Sequence, residues 1–142
     1  MSKDQKITLW ILITIGLIFF IIFYFPNSVA SDNIPMVGVF EPDESCPLGV
    51  IFHMISPAET IKKILINFFF YNYYFYGFPY FAYSALTILP LRFIGQLNNI
   101  PLVMTILRQA VSVLPMIPAI ILLVYLQTQF KSRAKTIISF IF

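Results

Sequence analysis

Residues 7–25 read ITLWILITIGLIFFIIFYF, a run of nineteen residues without a charged side chain. A helix rises about 1.5 Å per residue, so this run covers roughly the 30 Å hydrocarbon core of a bilayer. Trp10 and Tyr24 lie near its two ends, where aromatic side chains favour the membrane interface. The run therefore predicts a first transmembrane helix over residues 7–25, ended by Pro26.

A cleaved signal peptide is the alternative interpretation of this run, because Ser28-Val29-Ala30 before Ser31 resembles a cleavage site. The apolar core of a signal peptide usually has about 7–15 residues, and residues 7–25 form a longer run. The length therefore favours a helix that is retained.

The composition of the whole chain is that of a membrane protein. Hydrophobic residues make up 59% of its 142 residues and charged residues 11%, whereas soluble domains carry about a quarter charged residues. We therefore expect one all-α integral membrane domain over residues 1–142, with the lipid bilayer as its partner. The sequence has no basic stripe, Gly-rich phosphate loop or zinc-type Cys/His spacing, so no nucleic-acid partner is expected.

A second apolar run, residues 109–130, predicts a second transmembrane helix. Lys3 and Lys6 precede the first span, and the basic turn 131–135 follows the second; basic loops favour the cytoplasm. Two spans put both basic ends on that side, with the N-terminus cytoplasmic. A third span over residues 80–94 would put the basic turn outside, so we interpret residues 80–94 as non-spanning.

The chain between the two spans is predicted to lie on the outer side of the membrane. Residues 26–56 are polar and rich in proline and glycine, which predicts an acidic outer loop carrying Glu41, Asp43 and Glu44. Residues 57–104 are predicted to form two or more juxtamembrane helices that lie along the outer face.

The first juxtamembrane helix has a start signal in the sequence. Ser56 can cap the helix, Pro57 suits its first position, and Glu59 can reach back to the cap amide. From there, apolar residues fall on one helical face and two lysines lie beside it: Ile61, Ile64, Leu65 and Phe68, with Lys62 and Lys63. Such an amphipathic helix is suited to lying in a membrane surface.

Residues 68–83 are almost wholly aromatic, broken by Asn72, Gly77, Pro79 and Ala82. Tyrosine and phenylalanine at this density fit the headgroup zone, where the rings are buried and the hydroxyls stay hydrated. We interpret the stretch either as an interfacial belt or as a lining for a lipid or sugar, and the two interpretations are compatible.

The last residues, 136–142, begin another apolar run that is too short to span a bilayer. We interpret them as the start of a third span, which implies that the chain is the front part of a longer protein. The alternatives are a tail that packs on another element and a partner chain that supplies the missing spans.

Four short motifs occur in a fixed order along the chain: Pro42-Asp43-Glu44, Tyr76-Gly77-Phe78-Pro79-Tyr80-Phe81-Ala82-Tyr83, Leu107-Arg108 and Arg133-Ala134. In this order they resemble the N-terminal part of the membrane-embedded GT-C glycosyltransferases. The closest groups are the protein O-mannosyltransferase-like enzymes and the bacterial aminoarabinose transferases. The resemblance covers nearly all of the chain and only the front part of such an enzyme. Glu41 departs from the pattern, because it adds negative charge to a site that must also accept a phosphate.

The resemblance implies an activity, because the first outer loop of that family carries an acidic residue at the active site. Asp43 is then the general base and Glu44 its neighbour. The reaction is sugar transfer from a polyprenyl-phosphate donor to an acceptor hydroxyl, usually with inversion at the anomeric carbon. An alcohol is a poor nucleophile until a positioned base takes its proton. The resemblance also implies a multi-pass protein of a bacterial plasma membrane or the endoplasmic reticulum.

Further roles are assigned to charged residues near this loop. Arg92 and Arg108 flank the outer face, and either could hold the donor phosphate, because guanidinium matches phosphate geometry. Snorkelling to lipid headgroups is the equally weighted alternative. Clustered carboxylates at Glu41, Asp43 and Glu44 could instead bind a divalent metal through oxygen, and no other cofactor is expected.

A second function class stays open beside the transferase. The chain could be a small non-catalytic membrane protein, such as a scaffold, a subunit or an inactive remnant of an enzyme. Two spans alone cannot enclose a water-filled cavity, which favours this alternative for the 142 residues taken by themselves. The acidic cluster would then be a solvated loop without a catalytic role.

Overall fold

The computed structural model describes residues 1–33, 42–70 and 77–141; for residues 42–46 it describes the helical backbone and not the side chains. Within these ranges the regular structure is entirely helical, which confirms the all-α prediction. In chain order the elements are α1 (Lys3–Asp32), α2 (Pro42–Met54), α3 (Ile61–Phe69), α4 (Phe78–Phe93), α5 (Ile100–Leu107), a π-helix (Arg108–Val113), α6 (Leu114–Thr128) and α7 (Arg133–Ile141).

Within the described residues, two helices are long and apolar enough to cross a membrane. One is α1, with 30 residues; the other is the continuous helix Ile100–Thr128, with 29 residues, formed by α5, the π-helix and α6. Only 17% of the most apolar window of each helix is buried inside the protein. Apolar helices left so uncovered favour a lipid surrounding over water. The predicted spans 7–25 and 109–130 lie largely within these two helices.

The two long helices pack against each other in antiparallel directions. At one end Arg133 Nη2 lies 3.3 Å from Asp4 Oδ1. At the other end Arg108 Nη1 lies 3.4 Å from Ser31 Oγ, where α1 finishes. The N-terminal lysines and the basic turn therefore lie at the same end of the pair. This end is called the basic end below, and the opposite end, where α2 to α5 gather, is called the distal end.

Gly16 of α1 lies directly against Ile117 of α6. A Cβ atom on Gly16 would lie 2.5 Å from Ile117 Cγ2, so a larger residue requires the Ile117 side chain or one of the helices to shift. On the side of the basic end, Leu12 and Val124 form a buried cluster with Phe130. Small residues at such crossings allow membrane helices to pack closely by van der Waals contact.

Pro26 does not end α1, and the sequence prediction was wrong on this point, because α1 continues to Asp32. Proline lacks the N–H that bonds to the carbonyl four residues back, which weakens a helix in water. Membrane helices tolerate it, because abandoning the helix would leave more backbone groups without partners. Ser31 adds support to the last turn by donating from Oγ to the carbonyl of Asn27 at 2.6 Å.

Residues 26–56 are not one loop as predicted, because α2 occupies Pro42–Met54 within that range. The prediction gave weight to Pro47 and Gly49, which have low helix propensity. Pro42 takes the first helical position, where the missing N–H costs little. Packing of the α2 face that contains Ile51 outweighs the low propensity of the other two residues.

The distal end contains a small core of its own. Helices α2, α4 and α5 supply its buried side chains: Ile51, Met54, Ile55, Phe81, Ala85, Ile88, Leu91 and Val103. Helix α4 has 16 residues, about 24 Å of helix, which is short for a bilayer core of about 30 Å. It is not among the helices long and apolar enough to cross a membrane within the described residues, and the interpretation of residues 80–94 as non-spanning stays a prediction.

Helix α3 begins later than predicted. Its N-cap is Thr60, whose Oγ1 accepts a hydrogen bond from the Lys63 N–H at 3.3 Å. Ser56, the predicted cap, instead donates to the carbonyl of His53 at 2.8 Å and accepts from Asn67 Nδ2 at 3.0 Å. The prediction was wrong because two good capping residues lie within one turn of each other, and the sequence does not rank them.

Helix α7 contains most of residues 136–142, the predicted start of a third span. Ile137 and Phe140 pack against the buried cluster that joins α1 to α6. Thr136 is fully buried, and its Oγ1 donates to the carbonyl of Ser132 at 2.7 Å. The described part of this segment therefore packs on the two spans at the basic end.

Candidate functional site

The acidic residues belong to the start of α2. The backbone of Asp43 and Glu44 lies in the first turn of that helix, while their side chains and all of Glu41 lie outside the described residues. The described side chains that α2 buries lie further along the helix, at Pro47, Ile51 and Met54.

A small cavity lies between α2, α4 and the second span. It has a volume of about 70 Å³. Its lining consists of Ile51 from α2, Tyr80 and Ser84 from α4, and Met104, Leu107, Arg108, Val111 and Ser112 from the second span. A water molecule needs roughly 10–15 Å³ of such space, so several waters or one small polar group fit. We call this space the distal cavity.

Ser84 is the polar group buried most deeply in the wall of the distal cavity. It is 1% exposed, and its hydroxyl has no hydrogen-bond partner within the described residues. Thr87 on the same helix donates to the carbonyl of Tyr83 four residues back, and Thr105 donates in the same way to Pro101. Ser84 makes no such bond. A buried hydroxyl without a partner costs about 1–3 kcal/mol, so water or a ligand atom is expected beside it.

Arg108 lies in the same wall, at the point where α5 passes into the π-helix. Its Nη1 atom is 3.4 Å from Ser31 Oγ on α1, so the guanidinium reaches from the second span to the first. Guanidinium presents five N–H donors in a planar fork that matches a carboxylate or a phosphate. A cation in a cavity wall that also contains the hydroxyl-bearing residues Ser84 and Ser112 is suited to binding an oxyanion.

The π-helix fixes the second span to α4 beside the distal cavity. In a π-helix each N–H bonds to the carbonyl five residues back, and Leu114 bonds to Gln109 in this way. The following residue, Pro115, has no N–H for the carbonyl of Ala110. Tyr83 Oη fills that position by donating to the Ala110 carbonyl at 2.9 Å. The Tyr83 hydroxyl of α4 therefore donates the hydrogen bond that the Ala110 carbonyl cannot receive from Pro115.

Gln109 is a second polar link between the spans. It is buried, and its Nε2 donates to the carbonyl of Phe20 on α1 at 3.1 Å. Its Oε1 atom has no partner within the described residues. Sequence reasoning missed Gln109 and Ser84 because neither lies in a motif. A polar residue directly after Arg108 inside an apolar run was the available signal, since such residues in membrane helices are costly.

Arg92 lies elsewhere. Its Nη1 donates to the backbone carbonyl of Ile55, which follows the last turn of α2. About 18 Å of helix separates that position from residue 43. Arg92 is not part of the distal-cavity wall, so the structure does not bring Arg92 and Arg108 to one site.

A metal centre is not formed by the side chains that the structure describes. Among them, no group of three His, Cys, Asp or Glu residues could hold a metal ion. The three carboxylates of the sequence-based metal alternative, Glu41, Asp43 and Glu44, lie outside that set. The metal alternative therefore stays a prediction.

Comparisons with known proteins give no match: no protein-family model, no curated protein and no solved structure is similar to this chain at a significant level. The similarity to GT-C glycosyltransferases therefore rests on the short motifs and their order, and it stays a prediction.

Proposed function

We propose that this chain forms part of a glycosyltransferase that moves a sugar from a polyprenyl-phosphate donor to an acceptor hydroxyl at the outer membrane face. The observation that carries the proposal is the distal cavity, which has Arg108 in its wall and the acid-bearing helix α2 on one side. Such a reaction needs a cation for the donor phosphate and a carboxylate for the acceptor proton at the same membrane surface.

The proposed topology follows from the placement of the basic residues. Lys3, Lys6 and the basic turn lie at the basic end of the antiparallel pair, and basic segments favour the cytoplasm. The N-terminus is then cytoplasmic, the protein crosses the membrane at least twice, and the distal end faces outward.

Arg108 is proposed to hold the donor phosphate. It lies level with Ser31 in the last turn of α1, near the distal end, where the headgroup of a membrane-embedded lipid is expected. An apolar groove of about 510 Å³ lies along the second span, between Pro115 and Pro118 of α6, Leu17 of α1 and Tyr83 of α4. This groove suits a polyprenyl chain below the phosphate. Arg92, which caps the carbonyl of Ile55, is given a structural role.

Asp43 is proposed as the general base. The acceptor oxygen attacks the anomeric carbon and forms the new C–O bond while the bond from that carbon to the phosphate oxygen breaks. The polyprenyl phosphate leaves with the electron pair, and the acceptor proton passes to the Asp43 carboxylate. Glu44, the neighbouring carboxylate, stays near the reacting groups without taking part in the bond changes.

The proposal is tested by sugar transfer in membranes that contain the full chain, with polyprenyl-phosphate mannose and polyprenyl-phosphate aminoarabinose as donors. Asp43→Asn is expected to reduce transfer at least about 100-fold, because general base catalysis contributes about 10²–10⁴ in rate. Arg108→Gln is expected to raise the KM for the donor, and Arg108→Lys to recover part of the loss, because lysine keeps the charge without the planar fork. Glu59→Gln, an exposed carboxylate before α3, is the matched control and should transfer normally.

Two outcomes decide against the proposal, provided that carbonate extraction shows each variant in the membrane fraction. Unchanged transfer by Asp43→Asn overturns the assignment of the base. No transfer by the unmodified protein with either donor favours the non-catalytic alternative for this chain.

A further inference from the structure

Helix α3 carries most of its apolar side chains on the outside of the protein, while Phe68 packs partly against the distal core. None of its residues is buried. Ile61 is 77% exposed and Leu65 is 52% exposed, and Ile64 and Phe69 on the same side are also exposed. An amphipathic helix of a water-soluble protein turns this side inward to a core.

The orientation of α3 is fixed by contacts at its C-terminal end. Asn67, on the polar side, donates from Nδ2 to Ser56 Oγ at 3.0 Å, next to the end of α2. The Phe69 ring stacks on Phe78 at the start of α4, with ring centroids 5.4 Å apart, and Phe68 meets the same ring edge-on at 5.8 Å. These contacts fix the C-terminal end of α3 against α2 and α4, and they leave Ile61, Ile64 and Leu65 exposed.

A basic residue lies at the edge of the apolar side of α3. Lys62 follows Ile61 directly, is exposed and has no ion pair within the described residues. Lys63 lies on the opposite side and pairs with Glu59 at 3.0 Å, an exposed pair that contributes little to stability. Of the two lysines of α3, Lys62 is therefore the one without an ion pair in the described part of the chain, and it lies beside the apolar side chains.

We propose that α3 is a surface anchor that binds the outer leaflet of a membrane containing anionic lipid. The apolar side lies among the upper acyl chains, and the Lys62 ammonium contacts headgroup phosphates. A lipid surface fits better than a partner protein, because the helix comes between two spanning helices and combines aliphatic, aromatic and edge-lysine side chains. This anchor is independent of sugar transfer; it rests on the proposed topology, in which both spans cross the membrane and the distal end faces outward.

The anchor can be tested with the full chain in a Cys46→Ser background, reconstituted into phosphatidylcholine vesicles with and without phosphatidylglycerol. A bimane fluorophore is attached at Leu65→Cys or, as the matched control, at Lys63→Cys; both positions are exposed in the protein. A doxyl-labelled lipid should quench the fluorophore at position 65 several-fold more than at position 63. Phosphatidylglycerol should increase the quenching at position 65, and Lys62→Gln should remove that increase.

Three results would count against the anchor. Equal quenching at positions 63 and 65 places the apolar side in water and overturns the anchor. Weak lipid quenching at position 65 together with protection from aqueous iodide means that protein covers α3, which also overturns it. An increase with phosphatidylglycerol that survives Lys62→Gln rules out the proposed headgroup contact. None of these readouts depends on transferase activity, so the anchor and the proposed function can fail separately.

Discussion

Gly16 is the residue on which the pairing of the two spans depends most directly. Its missing Cβ allows Ile117 Cγ2 to approach to a distance that no other residue type permits. Ile117 is β-branched and stiff at χ1, so its methyl group cannot easily swing away. In lipid no hydrophobic effect pulls two apolar helices together, and close packing of this kind supplies much of their attraction.

Gly16→Ala is expected to destabilise the pair of spans by about 1–3 kcal/mol, the usual cost of overpacking a well-packed contact. The measurement is thermal unfolding in a mild detergent. Gly49→Ala is the matched control, because a Cβ at that helical position meets nothing within 4 Å. Ile117→Ala in the Gly16→Ala background should restore part of the loss by removing the clashing atoms. Equal melting of Gly16→Ala and the unmodified protein would mean that the two spans do not pack at this crossing.

At the scale of elements, the π-helix connects the second span to the distal core. Its i→i+5 pattern leaves the Ala110 carbonyl facing Pro115, which has no N–H, and the Tyr83 hydroxyl takes that place. This arrangement could not be foreseen, because the sequence shows a proline in an apolar run and does not show which acceptor loses its donor. The same limit explains Thr60 as the cap of α3 in place of Ser56.

Tyr83→Phe is expected to destabilise the protein by about 1–3 kcal/mol, because it leaves a backbone carbonyl in an apolar surrounding without a partner. Thermal unfolding in detergent measures this loss. Tyr125→Phe is the control, since the Tyr125 hydroxyl makes no hydrogen bond within the described residues. Adding Pro115→Ala to Tyr83→Phe should offset the loss, because alanine supplies the missing N–H. Loss of the same size from Tyr125→Phe would contradict the assigned role of the Tyr83 hydroxyl.

At the scale of the whole molecule, the sequence allowed prediction of the two long apolar helices, because their length and composition can be read from a continuous stretch of residues. The non-spanning character of α4 stays a prediction. The distal core and the distal cavity could not be predicted, because they depend on how α2, α4 and the second span meet. Ser84 and Gln109 have no motif around them, and their importance comes from buried atoms without partners. Pro26 and Pro47 misled the prediction for different reasons: a membrane helix tolerates Pro26 because leaving the helix would cost more backbone hydrogen bonds, and packing of α2 outweighs the low propensity of Pro47.

We propose that the two antiparallel helices cross the membrane with α2 and Arg108 at the outer surface and the basic end inside. Single cysteines replacing exposed residues in a Cys46→Ser background test this most directly: Glu59 before α3, Gln96 after α4 and Lys131 in the basic turn. With a membrane-impermeant maleimide on intact cells, positions 59 and 96 should react, and position 131 should react only after permeabilisation. Labelling that puts positions 59 and 96 on opposite sides would show that α4 crosses the membrane. Reaction of position 131 together with position 59 in intact cells would place the basic end and the distal end on the same side. Either result contradicts the two-span topology.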